Sequence, residues 1–198
     1  MLTPAEVERI FRDAGALRDG HFVLASGKHS ARYLEKFQVL QWPKQTEHLC
    51  AAIAERLHGS VPDTVAGPTT GGIILAHELA RQLDRRAVYA ERNESGPGRA
   101  FRRGFQLAPG ERVLVIDDII TTGGSVRETI DAVRASGATV VGAAVLVDRS
   151  GGAVDLGVPL YALWSLDIPS YPASACPLCA RGEPLAKPGT TSAQMART

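Results

Sequence analysis

The sequence is poor in cysteine, methionine and tryptophan, and its low cysteine content excludes a disulfide-stabilised protein. Its 198 residues include three cysteines, two methionines and two tryptophans, and 6% are aromatic. Three cysteines are too few for a disulfide scaffold. A chain of this length buries roughly 70% of its unfolded surface, so its core needs no such cross-links. We therefore predict a globular protein of the reducing cytoplasm.

The sequence also lacks an excess of one charge and a long apolar run. The 22 Lys and Arg residues nearly balance the 21 Asp and Glu residues, which leaves a formal charge of +1. Such a balance gives no overall field that would attract nucleic acid. The longest apolar stretch, residues 140–147, is interrupted by Gly142 and falls far short of the roughly 20 residues of a membrane span. Glu6 and Arg9 interrupt any apolar signal core. We expect no nucleic-acid or membrane partner.

The order of apolar segments predicts one α/β domain over residues 1–198. After residue 60, short apolar runs alternate with helical segments, a pattern typical of βαβ units that build a parallel sheet flanked by helices. We divide the chain into a hood with N-terminal helices (1–59), an α/β core (60–166) and a C-terminal extension (167–198), of which 187–198 should be frayed. Strands are expected at 64–66, 87–90, 112–116, 140–147 and 160–166, and helices at 4–15, 43–57, 72–83 and 124–136.

The most informative segment joins the strand at 112–116 to the helix at 124–136. Asp117 and Asp118 follow the buried strand, and the turn between them and the helix is Thr121-Thr122-Gly123-Gly124-Ser125. Ligands of open parallel sheets bind beyond the carboxyl ends of the strands. Glycine backbone amides, hydroxyl groups and the positive end of a helix together form a cradle for a phosphate monoester. Two acids that merely cap a turn are the weaker interpretation of this pattern.

The two adjacent carboxylates would repel a phosphate unless they had a partner of their own. Sugar hydroxyls, a bound Mg²⁺ ion and a developing positive charge are the three partners that suit them. A phosphorylated ribose meets all three conditions. The segment therefore predicts a site for a phosphorylated sugar.

This segment closely resembles the phosphoribosyl pyrophosphate motif of the type I phosphoribosyltransferases. Residues 21–33 are similar to the hood segment of the orotate phosphoribosyltransferases, residues 65–73 to their pyrophosphate loop, and residues 146–149 to the strand that ends in their base-binding arginine. These matches occur in the family's order over residues 15–150, which chance rarely produces. The resemblance implies the type I phosphoribosyltransferase fold and a pentosyltransferase of pyrimidine biosynthesis. It would form orotidine 5'-monophosphate and pyrophosphate from orotate and phosphoribosyl pyrophosphate.

The resemblance also implies a role for each matching residue. Asp117 and Asp118 would meet the ribose hydroxyls, directly or through metal-bound water, and Mg²⁺ would be held mainly by the substrate. No protein nucleophile is needed, because positioning and electrostatics suffice for such a transfer. The family also implies a homodimer. The implied substrate-binding residues are Ser26, Gly27, Lys28 and Tyr33 in the hood segment, Arg149 for the orotate carboxylate, Thr69, Thr70, Gly71 and Gly72 for the pyrophosphate, and Thr121, Thr122, Gly123, Gly124 and Ser125 for the 5-phosphate.

A basic segment at residues 91–103 matches the loop that closes over the pyrophosphate in the family, often in the neighbouring subunit's site. Its four arginines, the remaining candidate catalytic residues, are Arg92, Arg99, Arg102 and Arg103. By composition alone the segment is a solvated charged hairpin. Lysines that many family members carry are replaced here by Ala25, Gly71 and Asn93. Arg99, Arg102 or Lys28 could supply the missing charge, and the sequence does not decide between them.

The pair Cys176 and Cys179 is half of a zinc-binding motif, and a closed structural site needs four ligands. We rank free thiols in a tight turn first, zinc second and a redox disulfide third. Zinc would require the same pair from another subunit or some of the five histidines, which are His21, His29, His48, His58 and His77.

Two other functions compete with orotate phosphoribosyl transfer. One is the same chemistry on another base, which the hood pattern at residues 21–33 disfavours. The other is a non-catalytic regulator that binds phosphoribosyl pyrophosphate and acts on nucleic acid. That regulator should have an added DNA-binding helix pair or a basic face, and neither is visible.

Overall fold

The computed structural model describes residues 1–24, 26–57 and 59–188, and these ranges contain nine strands, six α-helices and one short 3-10 helix at Ala173–Ala175. The strands are β1 (Leu17–Val23), β2 (His29–Leu34), β3 (Thr64–Pro68), β4 (Arg86–Arg92), β5 (Arg99–Phe101), β6 (Arg112–Ile120), β7 (Thr139–Asp148), β8 (Leu160–Ser165) and β9 (Ser170–Tyr171). The helices are α1 (Pro4–Asp13), α2 (Phe37–Leu40), α3 (Pro43–Arg56), α4 (Gly71–Leu83), α5 (Gly124–Ala135) and α6 (Pro177–Ala180).

The main sheet has six strands in the order β5-β4-β3-β6-β7-β8, and all but the edge strand β5 are parallel. Successive residues of β6 face opposite sides, so Ile116 packs into one apolar core and Val115 into the other. Helices α1, α3 and α4 contribute to the first core, and α5 covers the second. This confirms the predicted α/β class with a central parallel sheet.

Local sequence signals explain where several elements begin. Thr3 caps α1 through a reciprocal pair of bonds, in which the Glu6 backbone amide donates to the Thr3 hydroxyl and the Thr3 amide donates to the Glu6 carboxylate. Pro4 and Pro43 each occupy the first turn of a helix, where a missing amide hydrogen costs nothing. The central strands are continuous apolar runs because both faces of the sheet are covered.

A second sheet, of order β1-β2-β9, pairs the N-terminal strands β1 and β2 with β9 from the C-terminal extension. Strands β1 and β2 form an antiparallel hairpin, and β9 adds an antiparallel edge beside His29 and Ser30. The hood therefore consists of residues 17–34 together with part of the C-terminal extension, whereas α1 and α3 pack against the main sheet. Most of the predicted frayed tail, 189–198, lies outside the described residues, as do Ala25 and His58.

One strand boundary and one additional strand near the site differ from the prediction for physical reasons. Strand β6 continues to Ile120, so Asp117 and Asp118 lie inside the strand, because pairing with β7 persists as far as Asp148. Strand β5 is too short and too polar to show in the sequence pattern, and it forms by pairing with β4. Within the described ranges, no helix combines the length and the apolar character that crossing a membrane requires.

Candidate active site

The candidate site lies where β3, β6 and β7 end at one edge of the main sheet. The loop after β3 leads into α4, the loop after β6 leads into α5, and Arg149 follows β7 directly. The Arg149 backbone amide donates to the Ile120 carbonyl over 2.8 Å, which aligns the ends of β6 and β7. Parallel pairing thus brings together the three segments that the sequence separates by up to 80 residues.

Asp117 is buried and held by two donors. The Ser125 hydroxyl donates to Asp117 Oδ2 over 2.7 Å, and the Asp118 backbone amide donates to Oδ1 over 2.9 Å. Burial raises the pKa of Asp117, and these two hydrogen bonds act in the opposite direction. The carboxylate is therefore fixed in place by the first turn of α5.

Asp118 is 2% exposed and is the more perturbed of the two acids. Burial, followed by repulsion from Asp117, raises the pKa of Asp118 to about 6, although Lys36 opposes the shift. The Lys36 ammonium donates to Asp118 Oδ1 over 2.9 Å, and the Ile119 amide donates to the same oxygen over 2.7 Å. The other oxygen, Oδ2, is buried and has no hydrogen-bond partner within the described part of the chain. An unpaired buried carboxylate oxygen is a site for a hydroxyl group or a cation.

Lys36 is a site residue that the sequence analysis missed. It follows β2 and precedes α2, so it reaches the acid pair from the hood side, 82 residues away in sequence. The Lys36 ammonium also lies 5.4 Å from the centre of the Phe37 ring. Nothing local to residues 33–37 indicated that Asp118 would be its partner.

The loop between β3 and α4 packs so tightly against Asp118 that only glycine fits. A Cβ atom on Gly71 would lie 1.8 Å from Asp118 Oδ2, and one on Gly67 would lie 2.1 Å from the Gly72 carbonyl oxygen. A side chain at position 71 would therefore displace the acid in this chain. Lys36 brings a cation to Asp118 from the opposite side instead.

The loop predicted to bind a phosphate, residues 121–125, leads into the first turn of α5. Gly123 adopts the left-handed region at φ 81°, precedes the helix without a side-chain cap, and would meet Val154 at 2.9 Å if it carried a Cβ. Arg127 stabilises the loop by donating to the Thr122 carbonyl over 2.7 Å. The loop lines a cavity of about 290 Å³, enclosed by Arg92, residues 119–125 and Glu128. Uncapped helix amides in a small cavity suit a phosphate group.

The Ser125 hydroxyl contacts Asp117, whereas the resemblance implies that Ser125 binds the 5-phosphate. The Ser125 hydroxyl donates its only hydrogen to Asp117, so it positions the acid. Its backbone amide lies in the first turn of α5 and is the group of Ser125 that can face a phosphate. Thr121 and Thr122 are exposed at the cavity, where their hydroxyls are accessible.

The basic segment at 91–103 forms a β-hairpin, β4 paired with β5. Arg99 is 8% exposed, and its guanidinium donates to the Thr69 hydroxyl over 3.0 Å, so it supports the loop after β3. Its Nε lies 3.3 Å from the Glu128 carboxylate without an aligned hydrogen bond. In contrast, Arg102 pairs with Glu94, and Arg103 pairs with Glu91 over 3.0 Å, both on the hairpin itself.

The hood residues occupy a tight turn and the strand that follows it. Gly27, at φ 77°, closes the turn by donating its amide to the Leu24 carbonyl, and the exposed residues Ser26 and Lys28 flank it. Tyr33 packs against Phe22, with ring centres 5.7 Å apart, and donates its hydroxyl to Glu35. None of these four residues has a described contact with Asp117 or Asp118; from this part of the chain, only Lys36 bonds to the acid pair.

Arg149 is half-buried at the end of β7. Burial lowers the pKa of its guanidinium, and its Nε is buried without a hydrogen-bond partner in the described residues. A desolvated guanidinium fork is a ready partner for a carboxylate on a ligand.

The family model, the related sequences and the solved structures that resemble this chain all indicate one family. The sequence model described as phosphoribosyl transferase domain matches residues 38–158. The orotate phosphoribosyltransferase of Pelotomaculum thermopropionicum is 52% identical over 189 residues, covering 96% of this chain and 98% of the relative. That of Caldicellulosiruptor bescii is 49% identical over 182 residues, covering 92% and 95%. The crystal structure of orotate phosphoribosyltransferase from Aeropyrum pernix superposes with a TM-score of 0.70 at 30% identity, over 81% of this chain and 93% of that one. The chain belongs to the phosphoribosyltransferase family, and within it to the orotate phosphoribosyltransferases.

Proposed function

We propose that the protein transfers the phosphoribosyl group of phosphoribosyl pyrophosphate to orotate. A ring nitrogen of orotate forms a bond to the anomeric carbon, the bond from that carbon to pyrophosphate breaks, and pyrophosphate leaves with the bonding electrons. The products are orotidine 5'-monophosphate and pyrophosphate. This reaction belongs to pyrimidine synthesis, and we propose a cytoplasmic location for it.

The observation that carries the proposal is the composition of one sheet edge. It holds two buried acids, a helix start without a side-chain cap, and a half-buried guanidinium whose Nε has no partner in the described residues. The acids suit the ribose hydroxyls and the positive charge that develops as pyrophosphate leaves. The helix start suits the 5-phosphate, and Arg149 suits the orotate carboxylate.

The chain's own groups act mainly by position and charge. Asp117 is oriented by Ser125, and Asp118 by Lys36, so both carboxylates have fixed directions before a substrate binds. Orienting the acids in advance reduces the reorganisation needed as the anomeric carbon becomes positive. Because Gly71 has no side chain, the loop after β3 can approach Asp118 Oδ2 closely.

Mg²⁺ fits this site. The unpaired Oδ2 of Asp118 and the neighbouring carboxylate of Asp117 are hard oxygen donors of the kind that Mg²⁺ binds, and two acids are a typical number for an ion that retains water and substrate ligands. When bound, the ion would neutralise charge on the pyrophosphate. We propose that Asp117 and Asp118 hold it from the protein side.

The proposed activity is tested by offering the protein phosphoribosyl pyrophosphate, Mg²⁺ and one base at a time. Orotate should give a nucleotide and stoichiometric pyrophosphate, whereas uracil, adenine, guanine and hypoxanthine should react at least about 10²-fold more slowly. Nucleotide formed preferentially from another base would establish the competing base specificity. Binding of phosphoribosyl pyrophosphate without turnover of any base would establish the regulator.

Lys36→Met should move the acid limb of the kcat/KM profile to higher pH. Lys36 lowers the pKa of Asp118, which is about 6 with the lysine in place, so its loss raises that pKa further. The ionised acid is then available only at higher pH, and activity at pH 6 should fall by a larger factor than activity at pH 8.5. The profile is measured from pH 5 to 9.

Lys44→Met is the matched control for Lys36→Met, because Lys44 is exposed on α3. It should leave the profile unchanged. Substrate phosphates titrate near pH 6 as well, but their contribution is the same in every variant. An identical acid limb in the wild type and in Lys36→Met would exclude coupling between Lys36 and the catalytic acid.

Arg102→Gln and Arg103→Gln should lower turnover far more than thermal stability. We propose that these two arginines, Arg102 half-buried and Arg103 exposed, neutralise the departing pyrophosphate, in the same or the neighbouring subunit of a homodimer. Their present ion pairs with Glu94 and Glu91 are surface pairs of low energy. We expect kcat to fall at least about 10-fold in one or both variants while Tm changes by less than about 2 °C.

The control for these two variants is Arg181→Gln, which removes another exposed arginine paired with an acid, here Glu183. It should preserve kcat. Wild-type turnover in both Arg102→Gln and Arg103→Gln would remove the hairpin arginines from the mechanism. Assembly is tested separately, by whether the protein sediments as a single chain or as two.

A further inference from the structure

Four side chains from opposite ends of the chain converge away from the candidate active site. His21 lies on β1, His29 on β2, Cys176 immediately before α6, and Cys179 within it. One ligand atom from each, two imidazole nitrogens and two sulfurs, lie within 4.8 Å of one another. The sequence analysis noted the two cysteines but could not select their partners among the histidines.

The nitrogen–nitrogen and nitrogen–sulfur separations within this cluster, His21, His29, Cys176 and Cys179, lie within about 0.4 Å of those around one tetrahedral zinc ion. Zinc bonds of about 2.3 Å to sulfur and about 2.0 to 2.1 Å to nitrogen place ligand atoms about 3.4 Å apart for two nitrogens and about 3.5 Å apart for nitrogen and sulfur. In the structure, His21 Nε2 and His29 Nδ1 are 3.0 Å apart. Cys176 Sγ is 3.5 Å from His21 Nε2, and Cys179 Sγ is 3.3 Å from His29 Nδ1.

The tautomer of His21 is fixed by its other ring nitrogen. Nδ1 lies 2.9 Å from the Glu183 carbonyl oxygen, which can only accept, so Nδ1 carries the hydrogen. In neutral His21 the lone pair of Nε2 therefore points into the cluster. A backbone carbonyl that orients a histidine in this way is the usual outer contact of a metal-bound imidazole.

We propose that His21, His29, Cys176 and Cys179 bind one structural Zn²⁺ ion. Two thiolates and two imidazoles in tetrahedral arrangement select zinc among the common divalent ions. All four ligands come from the protein, which leaves no open position for catalysis. The order of preference among free thiols, zinc and a disulfide therefore changes, because the fold adds two histidines to the cysteine pair.

The position of the ion gives it a definite structural role. Around the cluster, the Val23 amide donates to the Ala186 carbonyl, and the Ala186 amide donates to the His21 carbonyl. These contacts and β9 attach the C-terminal segment to the hood hairpin, whose turn carries Ser26 and Gly27. A zinc ion would lock that attachment, so the hood would be held by metal coordination as well as by a few hydrogen bonds.

The test measures metal content and thermal stability together. Wild-type protein, dialysed against a weak chelator, should contain one zinc ion per chain as measured by inductively coupled plasma mass spectrometry. Removal with a strong chelator should lower Tm by at least about 5 °C, and added Zn²⁺ should restore it. Cys179→Ser and His29→Ala should each lose the zinc and the response of Tm to added Zn²⁺.

Matched controls remove a cysteine and a histidine elsewhere. Cys50→Ala, in the core, and His48→Ala, exposed on α3, should each retain one zinc. If the cluster variants fail to fold, wild-type apoprotein with Co²⁺ provides the decisive measurement. It should show the thiolate charge-transfer and d–d bands of a tetrahedral Cys₂His₂ site.

Three results would overturn the proposal. One is zinc-free wild-type protein whose apo form binds neither Zn²⁺ nor Co²⁺. Another is full zinc content in Cys179→Ser and His29→Ala. The third is a Cys176–Cys179 disulfide in protein purified without oxidant, since oxidised sulfurs cannot act as thiolate ligands. None of these measurements depends on the transferase activity.

Discussion

Replacing Asp117 and Asp118 together with asparagine is expected to lower kcat/KM for nucleotide formation by at least about 10³-fold, equivalent to about 4 kcal/mol of transition-state stabilisation. In the proposed mechanism both carboxylates would stabilise the positive charge that develops on the ribosyl carbon, and an amide provides no compensating charge. Steady-state kinetics with orotate and phosphoribosyl pyrophosphate measure the loss.

The same double variant should not be less stable than the wild type at pH 8. Burial raises the pKa of Asp118 above its value in the unfolded chain. Asp118 therefore contributes to the free energy of unfolding in full below about pH 4, where it is protonated, and this contribution is lost as the pH rises to about 6. At pH 8 the buried ionised Asp118 destabilises the folded state, and asparagine removes that charge. Asparagine at position 117 can still accept from Ser125, and asparagine at position 118 can still accept from the Ile119 amide. We therefore expect an equal or higher Tm.

Asp131→Asn is the control for the double variant, because Asp131 is an exposed acid on α5, the helix that follows the catalytic strand. Activity and Tm should both stay at the wild-type level. Nucleotide formation at a near-normal rate in the double variant would refute the role of the acid pair. A large fall in Tm would mean that the loss of activity reflects unfolding.

The features that sequence predicted well are encoded within a few neighbouring residues. The strand, the two acids, the loop and the helix start occupy one uninterrupted segment, and each part has a recognisable composition. Parallel pairing then places the ends of β3, β6 and β7 at one edge as a matter of geometry. For that reason the fold class and the acid pair followed from the sequence.

Contacts between distant residues could not be predicted in the same way. The bond from Lys36 to Asp118 and the clustering of His21 with Cys176 each depend on how the hood packs, which no local pattern records. The burial of Arg99 beneath the loop after β3 is another example, since charged loop residues are usually exposed. Composition also could not show that the Ser125 hydroxyl donates to Asp117, because a hydroxyl in this loop can bond either to the carboxylate or to a bound phosphate.

The second large effect is expected for Arg149→Gln, which should reduce kcat/KM for orotate about 10²- to 10³-fold. The guanidinium is half-buried, burial lowers its pKa, and its Nε has no partner within the described residues, so a bound carboxylate would both pair with it and offset its desolvation. The loss should appear mainly in KM for orotate, with KM for phosphoribosyl pyrophosphate changed less than about twofold.

Uracil makes this experiment specific, because it has the same ring without the carboxylate. If Arg149 pairs with that carboxylate, Arg149→Gln should reduce the preference for orotate over uracil by nearly the same factor by which it slows orotate. Arg9→Gln, which alters an exposed arginine on α1, should leave that preference unchanged. Equal losses with orotate and uracil would instead indicate that Arg149 supports the end of β7 without contacting the base. The ratio of the two rates thus separates recognition of the carboxylate from general support of the site.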